Sequence, residues 1–279
     1  MNPNQHIAFV GGGNMASAII GSLRKQGLAG AQITVLEPVP EQAARLAKQF
    51  GVQAVTSPGP ALVAASLVVW AVKPQLFHTA AVAALPHLSA DALHLSVAAG
   101  VQSASIATWL GTDRIVRAMP NTPALIGQGM SGLYARVPED APTTVTAQDL
   151  STVEQLMDGT GAWLWVREEK QLDAVTAVSG SGPAYVFYFL ESLVRAGLEL
   201  DLDEETATQL ALHTFKGASA LALASTEPLA KLREQVTSKG GTTHAALQAF
   251  ASHNVDVGIA AGVHAAAQRA KELGDEFGG

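Results

Sequence analysis

Apolar positions in the first 165 residues come in short bursts separated by polar, glycine- or proline-bearing turns. "HIAFV" (6–10), "ITVLE" (33–37), "SLVVWAV" (66–72), "ALHLSV" (92–97) and "RIVRAM" (114–119) read as strands. The third is apolar on both faces, as a central parallel strand should be. Residues 14–27 and 40–50 carry helical spacing, and "GMSGLYA" (129–135) and "AWLWV" (162–166) close the series around a helix near 146–158. This alternation predicts a parallel sheet with helices on both faces.

From about residue 168 the β-branched clusters thin out and helical periodicity takes over. The spacing predicts helices at 170–179, 183–200, 203–224, 228–235, 242–252 and 255–275. A boundary near 167 therefore divides an α/β domain (1–167) from an all-helical one (168–279). The longest apolar stretch, 183–200, is interrupted by Glu191 and Arg195 well short of the ~20 apolar residues a membrane span needs, and predicts a buried helix.

Composition narrows the functional classes. At 48% hydrophobic and 15% charged, the 279-residue chain can bury a sizeable core. A net charge of −7 without a run of five like charges argues against a nucleic-acid partner. The absence of cysteine excludes disulfides, thiolate metal sites and a cysteine nucleophile. The start "MNPNQHIAFVGGG" has no basic segment followed by an apolar one, so a cytoplasmic protein without a membrane partner is expected. His244, His253 and His264 are 9 and 11 residues apart, not the i,i+4 spacing of helical ligands, so no metal is expected. His244 reads as a solvated helix residue, and Trp70, Trp163 and Trp165 read as core.

"IAFVGGGNMASAIIGSL" runs from strand into helix, and Gly11, Gly13 and Ala16 fit G-x-G-x-x-(G/A). The first glycine permits the tight turn, the second lets backbone approach a pyrophosphate, and the alanine lets helix and strand touch. The phosphates then lie over a helix start whose dipole contributes about 0.3–1 kcal/mol. Glu37 ends the second strand, 24 residues past Gly13. A carboxylate there can accept from adenosine-ribose hydroxyls and repels a 2′-phosphate, favouring NADH over NADPH. Arg45 and Lys48 on the next helix temper that preference. "WAVKPQ" places Lys73 just past the end of the central strand, as ligand or solvated charge. "SVAAG" (96–100) offers small residues against which a flat ring can lie, and "MPNTPA" (119–124) offers Asn121 in a rigid two-proline turn.

A second anion site is written in "QVTSKGGTTHAALQAF" (235–250). Gly240 and Gly241 disfavour helix, and Ser238, Thr242 and Thr243 crowd the start of the helix that follows. Free N–H donors, hydroxyls and the positive end of the dipole form an anion cup. Read without further context, Thr243 is more readily an ordinary N-cap.

Together "GGGNMA", "AVKPQ", "SVAAG", "MPNTPALIGQG", "DAVTAVSGSGPAY" and "VTSKGGTTHAAL" resemble the pyrroline-5-carboxylate reductases, in that family's order and over essentially the whole chain. The resemblance implies an N-terminal Rossmann-type doubly wound sheet with a C-terminal all-helical dimerisation domain, and reduction of the cyclic imine 1-pyrroline-5-carboxylate to L-proline by NADH or NADPH. Cofactor contacts are expected from Gly11, Gly12, Gly13, Asn14, Met15, Glu37, Val72, Lys73, Pro74, Ala98, Ala99 and Asn121. Substrate contacts are expected from Ser238, Gly240, Gly241, Thr242 and Thr243, with Thr243 bonding the imine nitrogen. By the same resemblance the "SGSGPAY" turn lies near the substrate, with Pro183 in the first turn of the following helix and Ser179 or Ser181 able to cap it. Glu169 and Asp173 are weaker candidates near the cofactor. A homodimer is the minimum assembly, and a ring of dimers is compatible with it.

Two departures stand out. Lys239 replaces the proline usual in the family, and Glu37 stands where many members carry a hydroxyl or basic side chain. Two rival readings remain: a β-hydroxyacid dehydrogenase-like oxidoreductase, and a non-catalytic dinucleotide-binding protein. The first needs a lysine on the helix after the boundary, which "VSGSGPAYVFYF" lacks; the second leaves Ser238, Gly241 and Thr243 without a purpose.

Overall fold

The computed structural model describes residues 5–277. Eight strands form one sheet: β1 (Ile7–Val10), β2 (Ile33–Leu36), β3 (Gln53–Val55), β4 (Leu67–Trp70), β5 (Leu93–Ser96), β6 (Ile115–Met119), β7 (Gly129–Ala135) and β8 (Gly161–Trp165). Their spatial order is β3-β2-β1-β4-β5-β6-β7-β8. Helices α1 (Asn14–Lys25), α2 (Pro40–Phe50), α3 (Phe77–Ala84), α4 (Ser103–Leu110) and α5 (Ala147–Asp158) make the crossovers. Strands leave β1 in both directions, so the order reverses between β1 and β4, where a doubly wound sheet opens a crevice at its carboxyl edge.

Both faces of the sheet are covered. Ile7 and Phe9 of β1 point into one apolar cluster with Ile19, Ile20 and Leu23 of α1. Ala8 and Val10 point into another, with Trp70 and Phe77. Every residue of β1, β2, β4 and β5 is buried, which explains why β1 and β4 read as continuous apolar runs.

The sheet departs from all-parallel at one place: β7 runs antiparallel to β6. The connection is only a 3-10 turn at Thr122–Ile126, and a parallel return needs a crossover of a dozen or more residues. β3 was not expected; it is three residues long on the sheet edge. Trp163 and Trp165, expected in the core, are half-buried on the opposite edge strand, and their indole N–H groups donate to Asp158 and Glu154 at 2.7 and 2.8 Å. The helix expected at 170–179 is α6 (Gln171–Val175) followed by a π-helical turn, Thr176–Gly180. Gly132 makes room for α6: a Cβ there would lie 2.9 Å from the Val175 methyl groups.

Contacts divide the chain into two compact units. One holds the described residues up to Ser181 and those from Ala266 onward, and the other is Gly182–Ala265. The second contains α7 (Gly182–Glu199), α8 (Glu204–Ala224), α9 (Leu229–Gln235), α10 (Thr242–Ser252) and the first half of α11 (Val255–Phe277). Asp203 caps α8, accepting the Thr206 amide hydrogen at 2.8 Å. α7 and α8 approach closely at Gly197, where a Cβ would sit 2.9 Å from that of Ala207.

α7 corrects an expectation. The sequence predicts a buried helix here, yet none of its residues is buried in the single chain. Tyr188 is 68% exposed, and Leu223 on α8 89%. A few helices without a covering layer have no interior to offer; these apolar faces require another surface. No helix is long and apolar enough to cross a membrane among the described residues.

Candidate active site

The carboxyl ends of β1, β2, β4, β5 and β6 are in register through Val10, Leu36, Trp70, Ser96 and Arg117. The turns that follow therefore share one edge. Gly11 has φ +97°, and a Cβ there would lie 2.6 Å from the Ala71 carbonyl oxygen, so only glycine fits. A Cβ on Gly12 would meet Leu46 at 2.4 Å. Gly13 is different: it is exposed and nothing in the protein lies within 4 Å of its Cβ position. It is the N-cap of α1 and supplies no side-chain cap, leaving the N–H groups of the first turn, Asn14 and Met15 included, free for an anion. An open backbone face at an uncapped helix start fits a pyrophosphate.

Glu37 stands beside this turn. Its carboxylate accepts the Gly12 amide hydrogen at 2.9 Å and that of Val39 at 3.0 Å. Gln42, which the sequence did not single out, donates to the Gly12 carbonyl at 2.6 Å and braces the turn from α2. Past β4, Val72 packs beside Gly11, and Lys73 and Pro74 open a 3-10 turn. Lys73 is exposed, and its ammonium forms no hydrogen bond or ion pair among the described residues. Past β5, Ala98 is buried and Ala99 half-buried, with the Ala98 amide donating to Ser96 at 3.3 Å.

Asn121 is more committed than its position suggested. Its amide nitrogen donates to the Ser179 carbonyl and hydroxyl at 3.2 and 3.1 Å, and its oxygen accepts the Met130 amide hydrogen at 2.9 Å. The side chain is a strut between the β6 turn and the π-helical turn. Ser179, read as a possible cap for α7, is instead half of this strut.

Glu169, a candidate near the cofactor, is turned into the protein. It accepts from Ser103 through both backbone and side chain, each at 2.6 Å, and pairs with Arg117 at 2.6 Å. Arg117 is buried. A charged residue inside an apolar strand signals a buried partner, and "RIVRAM" carried that signal unread. The Asp173 carboxylate makes no hydrogen bond among the described residues. Burial lifts its carboxyl above the usual range, Glu169 and Asp275 add to that, and Arg117 and Lys271 oppose it.

The second unit carries the anion cup. The Gly241 amide donates to the Ser238 carbonyl at 3.0 Å, closing a turn in which Gly240 takes φ +76° after a residue of negative φ, the type II pattern. A Cβ on Gly241 would lie 2.5 Å from the Ser238 hydroxyl, so Ser238 hangs over the start of α10. Gly241 is the N-cap and no side chain caps the helix. The hydroxyls of Ser238, Thr242 and Thr243 and the ammonium of Lys239 form no hydrogen bond or ion pair among the described residues. Thr243 is therefore not an N-cap, and the amides of the first turn are open. His244 is half-buried beside them. No group of three or more His, Asp or Glu that could hold a metal occurs among the described residues.

Comparison with known proteins agrees with both halves. Residues 169–273 match the family described as pyrroline-5-carboxylate reductase dimerisation, and residues 6–100 match NADP oxidoreductase coenzyme F420-dependent. The chain is 44% identical to a pyrroline-5-carboxylate reductase of Pseudomonas aeruginosa, over 98% of each chain, and 33% identical to one of Pisum sativum, over 96% of this chain and 95% of that one. A Coxiella burnetii pyrroline-5-carboxylate reductase structure superposes with TM-score 0.87 at 36% identity, covering 97% of this chain and 98% of that one. A Plasmodium falciparum pyrroline carboxylate reductase with NADP bound gives TM-score 0.85 at 27% identity, covering 98% and 99%.

Proposed function

Since this chain belongs to the pyrroline-5-carboxylate reductase family, we propose that the glycine turn holds its cofactor and the α10 cup its substrate. The protein is an oxidoreductase that uses a nicotinamide dinucleotide to reduce 1-pyrroline-5-carboxylate to L-proline. Residues 1–167 act as the dinucleotide-binding domain and 168–279 as the helical substrate and dimerisation domain. The observation that carries this reading is the pair of uncapped helix starts: one behind an open glycine, the other ringed by unpartnered hydroxyls.

The pyrophosphate lies over Gly11–Met15 and takes the free amides of α1. Val72, Lys73 and Pro74 would hold the middle of the cofactor, and the Ala98–Ala99 ledge beside the Asn121 turn would hold its nicotinamide. The bound cofactor supplies a hydride. The substrate carboxylate accepts from the amides and hydroxyls of Ser238, Gly240, Gly241 and Thr242. Lys239, the added cation at this turn, strengthens the attraction for an acid. Thr243 donates to or accepts from the ring nitrogen and holds its proton in place. A cyclic imine is basic enough to be protonated near neutral pH, so the C=N electron pair settles on nitrogen as the new C–H bond forms. The chain's contribution is alignment, worth several kcal/mol when geometry is right.

Glu37 biases the site toward NADH: its charge faces the place where a 2′-phosphate would lie, while its oxygens retain lone pairs for ribose hydroxyls. The bare apolar faces of α7 and α8 are covered by a second subunit, giving a homodimer that can build into a ring.

The decisive assay follows NADH absorbance with 1-pyrroline-5-carboxylate and, separately, with 3-hydroxy acids and NAD. Consumption with the first and silence with the second is expected. The reverse result identifies a hydroxyacid dehydrogenase, and no turnover of either leaves a binding protein.

A further inference from the structure

The ledge assigned to the nicotinamide is gripped from two sides within the first unit. On one side is Glu169. α4 begins at Ser103 without a side-chain cap from its own N-cap residue, Gln102. The missing cap comes from 66 residues away: one Glu169 oxygen accepts the Ser103 amide hydrogen and the other accepts its hydroxyl, both at 2.6 Å. The same carboxylate binds Arg117 on β6, two residues before the "MPNTPA" turn begins. Arg136 donates to the Ser103 hydroxyl at 3.3 Å and pairs with Asp113, extending the brace to β7. Ser103 and Arg117 are buried at 1% and 6% exposure, so these charge-assisted bonds are sheltered from water.

On the other side is the end of α11. Gly100 has φ +78°, and a Cβ there would lie 3.2 Å from the Leu273 Cβ and 3.4 Å from the Gly274 nitrogen. A Cβ on Gly274 would in turn lie 3.2 Å from the Gly100 oxygen. Backbone meets backbone, so the loop cannot shift toward α11.

We propose that Glu169 is a positioning residue for hydride transfer. It touches neither substrate nor cofactor, but by capping α4 and holding Arg117 it fixes the Ala98–Ala99 ledge relative to the β6 turn, and so sets the depth and tilt at which the nicotinamide ring lies. This rests on the cofactor placement given above. The geometry has a specific consequence: the grip acts on the nicotinamide end only. The Gly11–Met15 turn and Glu37, which hold the pyrophosphate and adenosine end, are braced separately by Gln42 and the Gly12 amide.

The test compares Ser103→Ala, which removes the hydroxyl's bonds to Glu169 and Arg136 and leaves the Glu169–Arg117 pair, with Glu169→Gln, which keeps the shape and removes the charge. Each purified full-length variant is titrated with NADH and with ADP-ribose, which lacks the nicotinamide, and assayed for turnover with 1-pyrroline-5-carboxylate. For Glu169→Gln, about a tenfold weakening of NADH binding or a comparable fall in kcat is expected, on the scale of a lost hydrogen bond to a charged group, with ADP-ribose affinity unchanged. Ser103→Ala should move the same quantities in the same direction by less. Equal weakening of both ligands makes the cluster a general support of the fold and overturns the proposal, as does wild-type behaviour in both variants. If Glu169→Gln does not fold, Ser103→Ala decides alone. Wild-type enzyme in parallel separates the two levels: without turnover there, the functional reading fails before the positioning role is tested.

Discussion

The Glu37 carboxylate and the Gly12 amide are bonded at 2.9 Å, so the residue proposed to read the ribose also holds the turn proposed to bind the phosphates. Replacing Glu37 with serine removes the charge and shortens the side chain. The ratio of kcat/KM for NADPH to that for NADH should rise by about tenfold, the scale of one lost charge contact. NADH affinity should fall as well, because the Gly12 amide loses its acceptor. A ratio that does not move would mean Glu37 does not face the ribose.

Gly11 and Gly13 make opposite predictions. Gly11→Ala drives a Cβ to 2.6 Å from the Ala71 carbonyl oxygen at a φ that L residues avoid. Stability should drop by about 1–3 kcal/mol or more in urea denaturation, with cofactor binding lost alongside. Gly13→Ala meets nothing in the protein. Its melting temperature should stay near that of the parent while NADH affinity falls, since the new methyl occupies the approach proposed for the pyrophosphate. Calorimetry and ligand titration on the two proteins separate a turn requirement from a ligand requirement.

Thr243→Ala should lower kcat far more than it changes NADH affinity, and should leave stability nearly unaltered because its hydroxyl caps nothing. Loss of about 1 kcal/mol of stability, the typical value of an N-cap, with turnover retained would return Thr243 to a structural role.

His94 sets an acid limit. Burial, with the Arg114 charge as a lesser cause, lowers its pKa from 6.5 to about 4, and the ring accepts the Trp70 indole hydrogen at 3.1 Å. Below pH 6.5 the unfolded chain takes up a proton that the folded one refuses. Stability contributed by the neutral ring is therefore complete above pH 6.5 and is lost as pH falls toward 4, to a total of about 3 kcal/mol. Urea midpoints measured from pH 7 to pH 4 should decline through that window. In His94→Leu the decline should be shallower, from a lower starting stability because the Trp70 N–H loses its acceptor.

Much of the fold was legible in the sequence because burial on both sides forces strands such as "HIAFV" and "SLVVWAV" to be apolar throughout. The glycine turn was legible for a different reason: Gly11 and Gly13 occupy positions where a side chain fails for steric or ligand reasons. The direction of β7 was not legible. It depends on the length of one connection, not on any pattern inside the strand. The exposed faces of α7 were not legible because apolar sequence states only that water must be excluded, not which surface excludes it. Glu169 was placed near the cofactor, and its tie to Ser103 spans a sequence separation that no periodicity reveals.

Trp70 has no exposed surface, stacks on Phe77 with ring centroids 5.1 Å apart, and passes its carbonyl to the Val97 amide at 3.0 Å. The next residue, Ala71, presents the oxygen that Gly11 skirts. An indole so dry emits at the blue edge of tryptophan fluorescence, where the reduced nicotinamide absorbs. The chain thus has a native optical donor beneath the turn proposed to bind the dinucleotide, and its dimming on cofactor addition offers a label-free occupancy gauge.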